Sequence, residues 1–200
     1  MSAPIIITCE QGTPEWHEAR LGIPTASEFS TVMAKGQGKT RMTYMRKLAG
    51  EILTGNPADS YSNAHMERGK EMEAEARAAY EFLTGNAVEE VGFIRTDAAG
   101  CSPDGLVGAD GGVEIKTKLP HLLIECLERG TMPPEHVAQV QGALWITGRS
   151  WWDFVAYWPG IPTFTCRVYP DTKYIRNLAA EVHVFNKELA ALVTRIRGMM

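Results

Sequence analysis

The segment from Ser102 to Lys116 constrains the fold more tightly than any other part of the chain. Ser102-Pro-Asp-Gly105 leads into a short apolar run, and Val113-Glu-Ile-Lys116 is a second one. Between them stands Asp110-Gly111, a hairpin-turn signal, so a strand ending near Leu106 folds back onto a strand starting at Val113. Side chains alternate across a strand, which places Glu114 and Lys116 on one face and sends Val113 and Ile115 into apolar packing on the other. The fold-back also brings Asp104 near Glu114. Two carboxylates and a lysine gathered in this way are the minimum set for metal-assisted phosphodiester hydrolysis. Each half has a bland reading of its own, since Ser-Pro-Asp-Gly is a good type I turn and Glu-x-Lys suits any exposed strand. The combination and its spacing carry the chemical reading.

Magnesium suits such a set. It binds through one or two protein carboxylates, with water and substrate phosphate completing an octahedral shell. Other metal chemistry finds no pattern. Cys9, Cys101, Cys126 and Cys166 are far apart, with no Cys-x-x-Cys pair, which argues against zinc, iron-sulfur and disulfide frameworks, and the five histidines are scattered.

A length of 200 residues is enough for one domain with a real core, so residues 1–200 are expected to form a single domain. No apolar run approaches the roughly 20 residues of a membrane span, and Ile5-Ile6-Ile7 has no basic region before it. The expectation is an intracellular, cytoplasmic protein without membrane attachment. A net charge of −4 looks unfavourable for a nucleic-acid partner. Its distribution matters more. From Phe29 to Gly50 the chain carries Lys35, Lys39, Arg41, Arg46 and Lys47 with no acid, whereas Glu67 to Glu90 is rich in glutamate. That segregation permits a basic DNA track on an acidic molecule, and equally a solvated helical face.

Helix signals surround the motif. Thr13 caps a helix opened by Pro14 and closed at Gly22, with Arg20 in its last turn. Thr25-Ala-Ser-Glu28 has the pattern of a capping box for a helix to about Lys35. Ser27, in its first turn and close after Arg20, is placed either to bind a phosphate or merely to help the cap. Further helices are expected over Met42–Thr54 and 64–84. In the second, Met66, Gly69, Glu73, Ala76, Tyr80 and Leu83 form an inward stripe. Glu73 is thereby a candidate third acid, and a small phase error returns it to solvent. Val88–Arg95 reads as a strand, and the stretch through Pro133-Pro134 as irregular. A helix then covers Glu135–Thr147 with Gln139 and Gln141, Trp151–Trp158 is an aromatic core or interface strand ahead of a base-stacking one, and Asp171 caps a long helix packed as a lid on the sheet, with an oligomer contact as the alternative.

These residues resemble a known group. Asp104 with Glu114-Ile-Lys116 resembles the PD-(D/E)XK nuclease superfamily. Thr13-Pro-Glu-Trp16, Arg20 through Ser27, Gly69-Lys-Glu-Met-Glu73, Cys101-Ser-Pro-Asp-Gly105 and Ala138-Gln-Val-Gln141 together resemble the lambda exonuclease and YqaJ-like viral recombinase family. The resemblance implies an α/β fold of the α+β type, a central mixed β-sheet flanked by helices, restriction-endonuclease-like. It implies a 5′-to-3′ exonuclease that acts on double-stranded DNA ends and leaves 3′ overhangs for recombination. By the same likeness Glu73, Asp104, Glu114 and the Ile115 carbonyl hold Mg2+, with Mn2+ as a possible substitute. Lys116 and Gln139 arrange the attacking water, and Arg20, Ser27 and Ser102 hold the 5′-phosphate. Met66 wedges the DNA end, and Lys35, Lys39 and Arg41 are track candidates. Partners would be duplex DNA ends, two further copies in a ring-shaped homotrimer, and a single-strand annealing protein. An endonuclease of the same superfamily and a non-catalytic DNA-end-binding module are the competing readings.

Overall fold

The fold-back around Asp110 is present. The computed structural model describes residues 3–34, 39–58 and 64–199, and for 64–71 the backbone only. In chain order the described elements are β1 (Ile5–Ile7), α1 (Pro14–Arg20), α2 (Phe29–Met33), α3 (Lys39–Thr54), α4 (Ala64–Thr84), β2 (Val88–Glu89), β3 (Phe93–Arg95), β4 (Gly100–Cys101), β5 (Gly105–Val107), β6 (Gly111–Thr117), α5 (Pro120–Arg129), α6 (Val137–Thr147), β7 (Trp151–Tyr157), β8 (Phe164–Val168) and α7 (Thr172–Arg197). A five-stranded mixed sheet of order β2-β5-β6-β7-β8 has β6 and β7 parallel and the other pairs antiparallel. A smaller antiparallel sheet has the order β1-β3-β4.

Alternation along β6 and β7 divides the core. Val113, Ile115, Val155 and Tyr157 pack with Ala76 and Tyr80 of α4 on one face of the large sheet. Trp152, Phe154 and Ala156 join α6, α7 and the other helices in the larger core on the opposite face. The hairpin loop is Gly108–Asp110, with Gly108 at φ +53°, and Gly111 already belongs to the strand. The reason lies across the sheet. The Trp151 and Trp152 rings lie over Gly111 and Gly112, where any Cβ would collide, so these glycines are fixed as strand residues under aromatic cover.

Several sequence expectations need correction. The Thr25–Glu28 capping box does not form. The Thr25 amide donates to the Tyr44 hydroxyl at 3.1 Å, its own hydroxyl meets Ser27 Oγ at 3.2 Å, and Thr25 bridges to Gly100 of the small sheet. That tether gives a single 3₁₀ turn over Ala26–Glu28, and α2 ends at Met33. The expected strand Val88–Arg95 is two strands in different sheets. They are separated at Gly92, which packs directly on the backbone of Cys9. The stretch read as irregular contains α5, opened by Pro120, closed by Gly130 at φ +63°, and buried through Leu123 and Cys126. Strands β1 and β8 were not foreseen. On α4 the inward stripe stops at Tyr80, and Leu83 is exposed, because periodicity continues beyond the layer on which the helix packs. Helix α7 is capped by Asp171 as expected, but its nearest elements are α3, α2 and α6, not the sheet. Gln141 fixes its start, accepting from the Asp171 amide at 2.8 Å and donating to Tyr169 O at 2.9 Å.

Candidate active site

The β5–β6 register pairs Gly105 with Val113, so its next step sets Asp104 opposite Glu114. Asp104 Oδ2 accepts from the Ile115 amide at 2.5 Å. Glu114 is 2 % exposed, and its Oε1 accepts from Gln139 Nε2 at 2.5 Å and from Lys116 Nζ at 2.6 Å. Gln139 arrives from the first turn of α6. Gly142 of that helix lets α6 close directly on Phe29 and Ala26, and so onto the turn that carries Ser27. Burial, and then the charge of Glu114, push the Asp104 carboxyl well above the usual range. Burial pulls Lys116 down, but the Glu114 and Asp104 carboxylates outweigh it and hold the ammonium above its ordinary value. Two acids thus face one ammonium, with Asp104 and Lys116 only partly buried at the edge of a cavity.

A cavity of about 150 Å³ joins this group to a second one, with Arg20, Ser27 and Ser102 in its lining beside Asp104, Glu114, Lys116 and Gln139. Arg20 Nη1 donates to Ser102 Oγ at 3.4 Å, and its guanidinium lies 3.8 Å above the Trp16 ring. Trp16 Nε1 donates to the same Ser102 Oγ at 2.9 Å. The indole therefore holds both the arginine and the serine, a function not read from the sequence although Trp16 was part of the motif. Gln11 was also missed. Its Nε2 donates to Pro103 O at 2.8 Å and Val91 O at 3.1 Å, pinning the loop that delivers Asp104. Nothing in the local sequence marks that long-range contact.

The remaining candidates are placed differently. Glu73 is half-buried and ion-paired to Arg77 at 2.9 Å, and Arg77 also pairs with Glu90. Burial first, and the neighbouring acids Glu90 and Glu114 after it, raise its pKa, with Arg77 opposing. It lines an adjacent cavity of about 320 Å³ with Arg77 and Glu90, and Gln11 borders both cavities. Glu73 thus stands beside the acid pair, within electrostatic reach of Asp104, rather than in the same cavity. Lys35 and the Met66 side chain lie outside the described residues. Lys39 is exposed at the start of α3. Arg41 is corrected from track candidate to structural residue. Its side chain is 7 % exposed, pairs with Glu188 at 2.5 Å, donates to Val32 O and lies over Phe185, so it is committed to contacts within the chain.

The donor set fits a hard divalent cation better than a soft one. Among the described residues no three His, Cys, Asp or Glu side chains form a ready cage. Asp104, Glu114 and the Ile115 carbonyl are oxygen donors, as magnesium takes, and the raised Asp104 reports negative charge that a cation would relieve.

The profile of the YqaJ-like viral recombinase domain matches residues 15–150, more than half of the chain. The chain belongs to the YqaJ-like viral recombinase family. Among solved structures, this family member is similar to LHK-Exo in complex with dAMP, at 40% identity and a TM-score of 0.87, covering 94% of this chain and 97% of that one. A second structure, of the alkaline exonuclease LHK-Exo from Laribacter hongkongensis, gives 38% identity, a TM-score of 0.85 and the same coverage. A phage related exonuclease from Haemophilus somnus 129PT, at 17% identity and TM-score 0.65 over 87% of this chain and 96% of that one, shares the fold. No curated protein matches the chain. The alkaline exonuclease fold, a mixed sheet flanked by helices, agrees with the sequence expectation. No helix among the described residues is long and apolar enough to cross a membrane.

Proposed function

We propose that this recombinase-family chain is a metal-dependent 5′-to-3′ exonuclease that acts on duplex DNA ends and leaves 3′ single-stranded overhangs. The observation that carries the reading is the single cavity joining Arg20, Ser27 and Ser102 to Asp104, Glu114, Lys116 and Gln139. One end offers a guanidinium and two hydroxyls, the donors a terminal phosphate takes; the other offers oxygen ligands and an ammonium for the scissile phosphate. The likeness to LHK-Exo supports the same class.

In this reading Asp104, Glu114 and the Ile115 carbonyl hold Mg2+, for which Mn2+ can substitute, with Glu73 as the third acid. A cation held by these residues would polarise the scissile phosphate and lower the pKa of a bound water. Lys116, ion-paired to Glu114 at 2.6 Å, stands beside the reacting phosphate, where its ammonium donates hydrogen bonds to developing charge. Gln139, fixed on Glu114, orients the water. The water oxygen forms a new bond to phosphorus as the bond from phosphorus to the 3′ oxygen of the terminal nucleotide breaks. The products are a mononucleotide with a free 3′ hydroxyl and a strand with a new 5′-phosphate. That phosphate can re-enter the Arg20 pocket. Assembly as a ring-shaped homotrimer, pairing with a single-strand annealing protein, and a site of action inside a bacterial or phage-infected cell belong to the same proposal.

Linear duplex with and without 5′-phosphates, incubated with Mg2+, tests it. Hydrolysis should depend on the phosphate, fall 10- to 100-fold in Arg20→Ala and vanish in Asp104→Ala. Equal rates on phosphorylated, dephosphorylated and circular DNA would instead mark an endonuclease.

A further inference from the structure

A second buried polar group lies on the far face of the sheet. Asp153 of β7 is 2 % exposed and accepts from Arg167 Nε and Nη2, both at 2.8 Å, and from the Tyr80 hydroxyl at 2.7 Å. Arg167, from β8, lies 3.6 Å above the Trp151 ring. Tyr80 is fully buried on α4, in a small core shared with Tyr157 and Trp151, and a second hydrogen bond joins Glu75 of the same helix to Tyr157. Burying such a group seldom adds net stability over an apolar replacement, and its best-attested use is to fix register. Apolar attraction is non-directional, whereas a hydrogen bond constrains direction as well as distance.

Glu73 lies seven residues before Tyr80 on the same helix, nearly the same face and about 10 Å along the axis. Any slide of α4 therefore moves Glu73 by the same amount relative to β6, on which α4 packs and which carries Glu114. We propose that the Tyr80–Asp153–Arg167 linkage is a positioning device that sets α4 on the sheet and thereby holds Glu73 beside the Asp104–Glu114 pair, within electrostatic reach of a cation bound there. This rests on the reading of Glu73 as third acid.

The test measures Mn2+ binding to the intact protein by calorimetry without DNA, in wild type, Tyr80→Phe, Glu73→Gln and the double variant. Tyr80→Phe should weaken Mn2+ binding about tenfold in the wild-type background, as changes to groups that orient a ligand do, and should add nothing once Glu73 is removed. Asp153→Leu combined with Arg167→Met, which removes the acceptor of the Tyr80 hydroxyl together with its guanidinium, should behave alike and decides the matter if Tyr80→Phe does not fold. Unchanged Mn2+ affinity in these variants, or an equal loss with and without Glu73, overturns the positioning role. Unchanged affinity in Glu73→Gln itself overturns the assignment of Glu73, and the proposal with it.

Discussion

Glu114 on β6 and Asp153 on β7 are both 2 % exposed carboxylates on neighbouring strands, yet they face opposite sides of the sheet and meet opposite treatment. Asp153 receives three hydrogen bonds, two of them from one guanidinium, and is fully matched. Glu114 shares a lysine with Asp104, whose carboxyl is driven up by burial and by Glu114 itself, and both acids border a cavity. Burial of a charge therefore does not identify a functional site. What separates the two is whether the local charge is balanced and whether the group opens onto space that a substrate can fill.

The largest effect should come from the unbalanced side. Lys116→Ala is expected to lower turnover about 10³-fold with little change in melting temperature, since it removes stabilisation at the reacting phosphate; wild-type rates would remove Lys116 from the chemistry. On the balanced side the signs reverse. Asp153→Ala should cost about 1–3 kcal/mol of unfolding free energy by leaving the buried Tyr80 hydroxyl without its acceptor, while Asp153→Leu combined with Arg167→Met and Tyr80→Phe should stay near wild-type stability. Denaturant titration distinguishes these, and a triple variant as unstable as the single one would break the contrast.

A smaller effect separates the two basic residues of α3. Arg41→Ala should lose about 1–2 kcal/mol of stability through its bond to Glu188 and its packing on Phe185, and leave the salt dependence of DNA affinity alone. Lys39→Ala should do the reverse, lowering the salt slope by about one unit if it meets a phosphate.

His136 offers the mildest test and a third kind of buried polar group. It stacks on Phe154, the neighbour of Glu114 across the strands, and its buried Nε2 has no hydrogen-bond partner among the described residues, with the Glu135 carboxylate 3.7 Å away. Burial first, with the charges of Lys118 and Lys116 adding to it, lowers its pKa from 6.5 to about 4. The unfolded chain therefore takes up the proton first. Stability from the neutral imidazole is complete above pH 6.5 and is lost as pH falls toward 4. Thermal melts across that window should show a shallower decline in His136→Gln than in wild type.

The local features of the chain were legible because their causes are local. The glycine-rich fold-back, the alternation of Val113, Glu114, Ile115 and Lys116, the Thr13 and Asp171 caps and the gathering of Asp104 with Glu114 all follow from neighbouring residues. Helix α5 was signalled by Pro120 and Gly130 and was overlooked, whereas β1 and β8 are short and acquire their strand character from the partners they pair with. The Thr25 capping pattern was present and lost to a competitor, because Gly100 and Tyr44 offered the same backbone a better set of bonds.

By itself the sequence determined the residue types of the acid group, their spacing and the order of most elements, since turn chemistry and periodicity act over a few positions. Tertiary structure alone decided that Arg41 is buried, that Gln11 and Trp16 support the cavity, and that Asp153 matches Arg167 across two strands. Those outcomes depend on which distant groups share the same dry space, where an unpaired charge costs several kcal/mol, and no short-range pattern records that pairing.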